Sequence, residues 1–125
     1  MKKKTIWICD DDVDILEICS LILRKKNYEV KTLTNCESMF EKIDQSRPDA
    51  ILLDLWIPEM GGEEATYRLK ANERTRDIPV ILFSAHNELE AITERTKADG
   101  FVKKPFEVDE LIAVMEKATA TAEGS

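Results

Sequence analysis

Three adjacent carboxylates, Asp10, Asp11 and Asp12, follow the apolar run TIWIC over 5–9, and a fourth, Asp54, closes the apolar run AILL over 50–53. Carboxylates crowded at a strand end repel one another and resist ionising unless a cation or hydrogen-bond donors compensate them. A hard divalent cation such as Mg²⁺, or Mn²⁺ in its place, takes oxygen ligands and holds on through one or two carboxylates, waters and a phosphate oxygen. Asp11 and Asp54 can supply the carboxylates, Asp10 can ligate through water, and a backbone carbonyl after Asp54, that of Trp56, completes the set. A carboxylate can also act as a nucleophile and form an aspartyl phosphate. Phosphoryl transfer needs mainly alignment and charge stabilisation at the equatorial oxygens, which a cation, the Lys104 ammonium and the Ser84 hydroxyl can each provide. Asp54 is the expected nucleophile because it stands alone after the most apolar run of the chain, whereas Asp10 to Asp12 read as a cradle for a cation.

For side chains so far apart in sequence to meet, the elements carrying them must share an edge. Apolar runs alternate with amphipathic stretches along the chain. TIWIC reads as a strand covered on both faces. Ile15, Leu16, Ile18, Cys19, Ile22 and Leu23 then recur at helical spacing, and the pattern ends by Lys26. YEVKTL over 28–33 alternates like a strand nearer an edge, and Met39, Phe40 and Ile43 mark a helix over 36–43. AILLDL is the next strand, and WIPEMGG over 56–62 holds the Pro and Gly of a loop. A helix over about 63–72 follows, with Ala65, Tyr67, Leu69 and Ala71. IPVILF over 78–83 is a strand, 88–97 a helix with Leu89, Ile92 and Thr96 on one face, FVK over 101–103 a short strand, and 108–117 a closing helix. Five strands alternating with five helices predict a doubly wound α/β fold with a parallel sheet. In such sheets ligands bind beyond the carboxyl ends of the strands, which is where Asp10 to Asp12, Asp54, Ser84 and Lys104 fall.

Composition excludes several other classes. The 125 residues fit one domain, with an ordered core over about 4–118 and a tail over 119–125 that lacks an apolar pattern and should fray. Eighteen basic against 25 acidic residues leave a formal charge of −7, which does not suit a nucleic-acid binder. The basic triplet at 24–26 suits the negative end of a helix dipole. Cys9, Cys19 and Cys36 are odd in number and contain no C-x-x-C, so neither a disulfide framework nor a zinc site is indicated. The apolar stretch after the N-terminal lysines is too short for a signal peptide, and no run approaches the ~20 residues needed to span a bilayer. A cytoplasmic protein without membrane contact is expected.

ICDDDVDI, LLDLWIPEMGG, ILFSA and FVKKPF, in this order and spacing, resemble the receiver domain of two-component response regulators, including the chemotaxis type, over about Lys4 to Ala118. The resemblance implies a flavodoxin-like sheet of strand order 2-1-3-4-5. It implies phosphorylation of Asp54 by a sensor histidine kinase or a histidine phosphotransfer protein, Asp10 and Asp11 at a Mg²⁺ site, Ser84 as a switching hydroxyl and Lys104 contacting the phosphoryl group. Lys104, directly before Pro105, matches the pattern better than Lys103, and the bond to Pro105 is cis in the family. Such a protein catalyses its own phosphorylation and slow dephosphorylation and is not a turnover enzyme. It is expected as a monomer or weak homodimer, signalling through its fourth helix, fifth strand and fifth helix, around Glu88 to Lys117, to an unidentified protein. Phe101 stands where the family often has Tyr, so a switching ring would act by packing alone. Trp56 and His86 occupy places that flank the path of the hydrolytic water, where bulky Trp56 should alter the aspartyl-phosphate lifetime.

Plainer readings stand beside these. One aspartate before the first helix, Asp12 or Asp14, should be an N-cap. Ser84 alone would be a strand-end hydroxyl, Lys104 alone a surface lysine, Trp56 loop packing, His86 a solvated loop side chain and Phe101 core. Two rival functions use the same residues: a phosphatase of the haloacid-dehalogenase type, and a docking module that is never phosphorylated. The first lacks a later acidic metal motif, since Lys104-Pro105-Phe106 stands there, and the intact set Asp10, Asp11, Asp54, Ser84 and Lys104 argues against the second. A flavodoxin-like cofactor site is disfavoured because three aspartates repel a phosphate.

Overall fold

The computed structural model describes residues 3–124 other than 58, with side chains described as far as 120. The elements are β1 (Thr5–Cys9), α1 (Val13–Lys25), β2 (Glu29–Leu33), α2 (Cys36–Lys42), β3 (Ala50–Asp54), α3 (Gly62–Ala71), β4 (Val80–Ser84), α4 (Leu89–Thr96), β5 (Gly100–Lys103) and α5 (Val108–Gly124). All strands pair in parallel in the order β2-β1-β3-β4-β5. This is the doubly wound sheet that the alternation of patterns predicts.

Strand periodicity sorts the core into two layers. Trp7, Cys9, Ile51, Leu53, Val80 and Leu82 face the helices that carry Met39, Leu69 and Ile92. Ile6, Ile8, Leu52, Ile81 and Phe83 face those that carry Leu16, Leu23, Leu111 and Met115. Every residue of β3 and β4 is buried, which is why these two strands read as unbroken apolar runs. β2, at an edge, buries only Leu33 and keeps its alternation visible in sequence.

Local signals set the helix starts. The Asp12 carboxylate accepts from the Asp14 and Ile15 N–H groups at 3.0 and 3.4 Å, and Asn35 accepts from Ser38 at 2.8 Å. Each satisfies donors that a first turn leaves unpaired. Asp12, not Asp14, is therefore the cap of α1. Ile18 and Tyr67, read as apolar-face residues, are about half exposed, and Ser20 and Thr66 are buried in their helices instead.

β4 starts two residues later than the apolar pattern implied, since Pro79 has no N–H to donate, although its carbonyl still accepts from Ile51. The closing helix is longer than expected and reaches Gly124. Thr119 is buried, its hydroxyl bonded to that of Tyr28 at 3.1 Å and its carbonyl accepting from Lys4 Nζ at 2.8 Å. The ordered core thus extends past Ala118, because alanine-rich sequence continues a helix without an apolar stripe. Of the tail expected to fray, the side chains from 121 and residue 125 lie outside the described residues. No helix among the described residues is long and apolar enough to cross a membrane.

Candidate functional site

Parallel pairing brings the carboxyl ends of β1, β3, β4 and β5 to one rim of the sheet. Asp10 follows β1, Asp54 ends β3, Ser84 ends β4 and Lys104 follows β5. Lys104 Nζ lies 2.9 Å from Asp54 Oδ1 and 3.0 Å from Asp10 Oδ2, so one ammonium bridges two buried carboxylates 50 and 94 residues away in sequence. The other oxygen of each carboxylate is held by the backbone. Asp10 Oδ1 accepts from Asp12 N–H at 2.9 Å and Asp54 Oδ2 accepts from Trp56 N–H at 3.1 Å. Both side chains are therefore fixed in orientation.

Asp54 is 5 % exposed and Asp10 1 %, whereas Asp11 is exposed. Burial pushes the Asp54 carboxyl above its ordinary value, with the Asp10 charge adding to it and the Lys104 hydrogen bond opposing it. Burial works against the Lys104 charge, but its bonds to Asp54 and Asp10 outweigh that and hold the ammonium above its ordinary range. The lysine stem is supported from below. Nζ lies 4.6 Å from the Phe83 ring centroid, and Phe106 packs edge-on against Phe83 with centroids 5.5 Å apart. Sequence reading missed Phe83, whose only signal was its place directly before Ser84.

Oxygens of Asp10, Asp11 and Asp54 lie within 4.8 Å of one another. An all-oxygen, all-anionic donor set fits a hard cation and not a soft one. The cysteines take no part, being free and buried, with burial pushing the Cys19 thiol up to about 12.

Ser84 is 1 % exposed and its Oγ accepts from the His86 N–H at 3.0 Å, so the hydroxyl hydrogen is left to point elsewhere. His86 Nδ1 accepts from the Glu88 N–H at 3.0 Å, which places the proton of the neutral ring on Nε2. Its ring sits 5.6 Å from that of Trp56, centroid to centroid, and the indole is 66 % exposed. Trp56 and His86 thus meet above the rim. Phe101 is half-buried on the edge strand, packed against the core beneath α4 and bordering a cavity of about 390 Å³ with Ile81, Val114 and Ala118. The Lys104–Pro105 peptide is cis, and the Lys103 side chain is exposed, one step before the rim.

Gly62 fixes how α3 meets β3 in a way the sequence did not disclose. A Cβ at Gly62 would fall 2.2 Å from the Asp54 carbonyl oxygen, so α3 begins in direct contact with the backbone of Asp54. The Gly61-Gly62 pair was legible only as a loop.

A doubly wound 2-1-3-4-5 sheet with Asp10, Asp11, Asp54 and Lys104 gathered at its carboxyl rim places the chain in the flavodoxin-like class of α/β domains. The family model of the response regulator receiver domain matches residues 6–116, and the chain belongs to this family. It is similar to the phosphate regulon transcriptional regulatory protein PhoB of Pseudomonas aeruginosa, 36% identical over 115 residues that cover 90% of this chain and 50% of that protein. It is also similar to the DNA-binding transcriptional regulator NtrC of Escherichia coli, 29% identical over 94% of this chain and 25% of that protein. The chain thus spans half or less of the length of these curated relatives. Among solved structures, a putative response regulator from Chloroflexus aurantiacus superposes with a TM-score of 0.90 at 28% identity, covering 95% of this chain and 99% of that one.

Proposed function

We propose that this chain accepts a phosphoryl group on Asp54 from a phosphohistidine of a sensor kinase or histidine phosphotransfer protein, in a Mg²⁺-dependent reaction that Mn²⁺ can also support. The observation that carries the reading is the Lys104 ammonium held between Asp54 and Asp10 beside the Asp10–Asp11–Asp54 oxygen cluster. An Asp54 oxygen attacks phosphorus, the phosphorus–nitrogen bond breaks, and its electron pair leaves with the imidazole. Lys104 is placed to move from the consumed carboxylate oxygen to a phosphoryl oxygen, keeping Asp10 as its second partner. The Ser84 hydroxyl, whose oxygen already accepts from His86, has its hydrogen left to donate to another phosphoryl oxygen. Asp10, Asp11, Asp54 and the Trp56 carbonyl would hold the cation, which when bound neutralises charge building on the transferring group.

The output reading follows from the same groups. Movement of Ser84 toward the phosphoryl group would free space near β5, where the half-buried Phe101 ring packs beneath α4 and could rotate. A pre-existing equilibrium of the α4–β5–α5 face would then shift. The chain hydrolyses only its own phosphoryl group and does not turn over substrates.

The test is mass spectrometry after incubation with acetyl phosphate. The wild type gains one phosphoryl group with Mg²⁺, and Asp54→Ala or EDTA abolishes the gain. No adduct in the wild type contradicts the proposal in favour of an unphosphorylated docking module. Sustained hydrolysis of a phosphomonoester contradicts it in favour of a phosphatase.

A further inference from the structure

A groove of about 740 Å³ opens from the rim between α3 and α4, with Asp11, Trp56 and His86 at its rim end. Its floor is apolar, formed by Leu55, Ile57 and Ile92, and Trp56 makes its lip with the most exposed large apolar side chain among the described residues. Its walls are acidic, with Glu59, Glu63 and Glu88 lining it. One cation already sits in it. Arg95, on α4, grips Glu63, on α3, through Nε at 3.0 Å and Nη2 at 3.2 Å, so the groove shows in its own chain the guanidinium recognition it supports. Among the described residues Glu59 and Glu88 have no salt-bridge partner. Glu59 is held at φ 71°, in the left-handed region that disfavours residues with a Cβ, so its carboxylate is presented at a backbone cost that glycine would avoid.

We propose that this α3–α4 groove docks a basic polypeptide segment carrying apolar side chains, on the side of α4 that faces α3 and away from β5 and α5. Apolar side chains of the segment pack on Trp56 and the floor, and its arginines pair with Glu59 and Glu88. An exposed indole beside a concave wall is the kind of anchor on which binding energy concentrates. The acidic walls speed the encounter with a cationic partner.

The test uses the unphosphorylated, metal-free full chain, so its result does not depend on phosphoryl transfer. A short acetylated peptide of alternating arginine and leucine is titrated into the ¹⁵N-labelled protein. Saturable shifts are expected at the Trp56 indole N–H and at Glu59, Glu63 and Glu88, with no response to the matching glutamate–leucine peptide. The double variant Glu59→Gln/Glu88→Gln is expected to weaken binding at least tenfold. The same charge change made on α5, Asp109→Asn/Glu110→Gln, is expected to leave it unaltered. Absence of binding, shifts scattered over all acidic surfaces with equal losses in both double variants, or shifts centred on β5 and α5 would each overturn the proposal.

Discussion

Lys104 resolves at short range a conflict that Asp10 and Asp54 would otherwise leave in the core. Two buried carboxylates without a counter-charge carry a desolvation penalty of several kcal/mol each. The ammonium offsets part of it, yet Asp54 still sits above its ordinary value of 3.8 because burial and Asp10 outweigh the lysine. A carboxyl group whose folded value is raised contributes stability below its unfolded value, and that contribution is lost as pH rises through the folded value. In EDTA, the wild type should therefore lose stability relative to Asp54→Asn as pH rises from about 3.8 toward neutrality, measured by urea unfolding at each pH. A difference that stays flat, or grows in favour of the wild type, contradicts this electrostatic reading. Trp56 makes a second residue-scale claim. With its indole against His86 over the rim, it should restrict in-line water, so Trp56→Asn should shorten the aspartyl-phosphate lifetime severalfold. An unchanged dephosphorylation rate removes that role.

The elements matter because they deliver these side chains by register. Asp54 pairs with Phe83 and Ser84 with Lys103, which sets Asp54, Ser84 and Lys104 in successive positions along one edge. α3 then starts on the backbone of Asp54, where only a residue without a Cβ fits. Gly62→Ala should destabilise the fold by about 1–3 kcal/mol and slow phosphorylation, since α3 must shift off the acceptor strand. Gly61→Ala, whose added carbon would meet the Leu55 carbonyl at 3.3 Å, should cost less. Chemical denaturation of both variants checks the order, and equal losses would show that the close contact at Gly62 is not what matters.

At the scale of the whole molecule, what was legible in sequence was what one periodicity or one strand end can encode. Both faces of β3 and β4 are covered, so those strands read as unbroken apolar runs, and polar residues at the ends of apolar runs marked the rim. Contacts made across the fold left no such trace. The Phe83 ring beneath Lys104, the Glu63–Arg95 pair spanning 32 residues and the Tyr28–Thr119 bond spanning 91 depend on how layers stack, which no local pattern records. The length of α5 was hidden for a different reason. Over 118–122 it consists of alanine and threonine, which produce no apolar stripe, and Ala118 and Thr119 are buried.

The same stacking is what gathers four strand ends around Asp54, and the proposed role of Asp54 as phosphoacceptor is the centre of the account. Borohydride reduction of the phosphorylated protein followed by peptide mapping reads it directly, because reduction converts an aspartyl phosphate to homoserine. Homoserine at position 54 alone is the predicted result. Homoserine at Asp10, Asp11 or Asp12, or phosphate retained on another residue type such as His86, would contradict it.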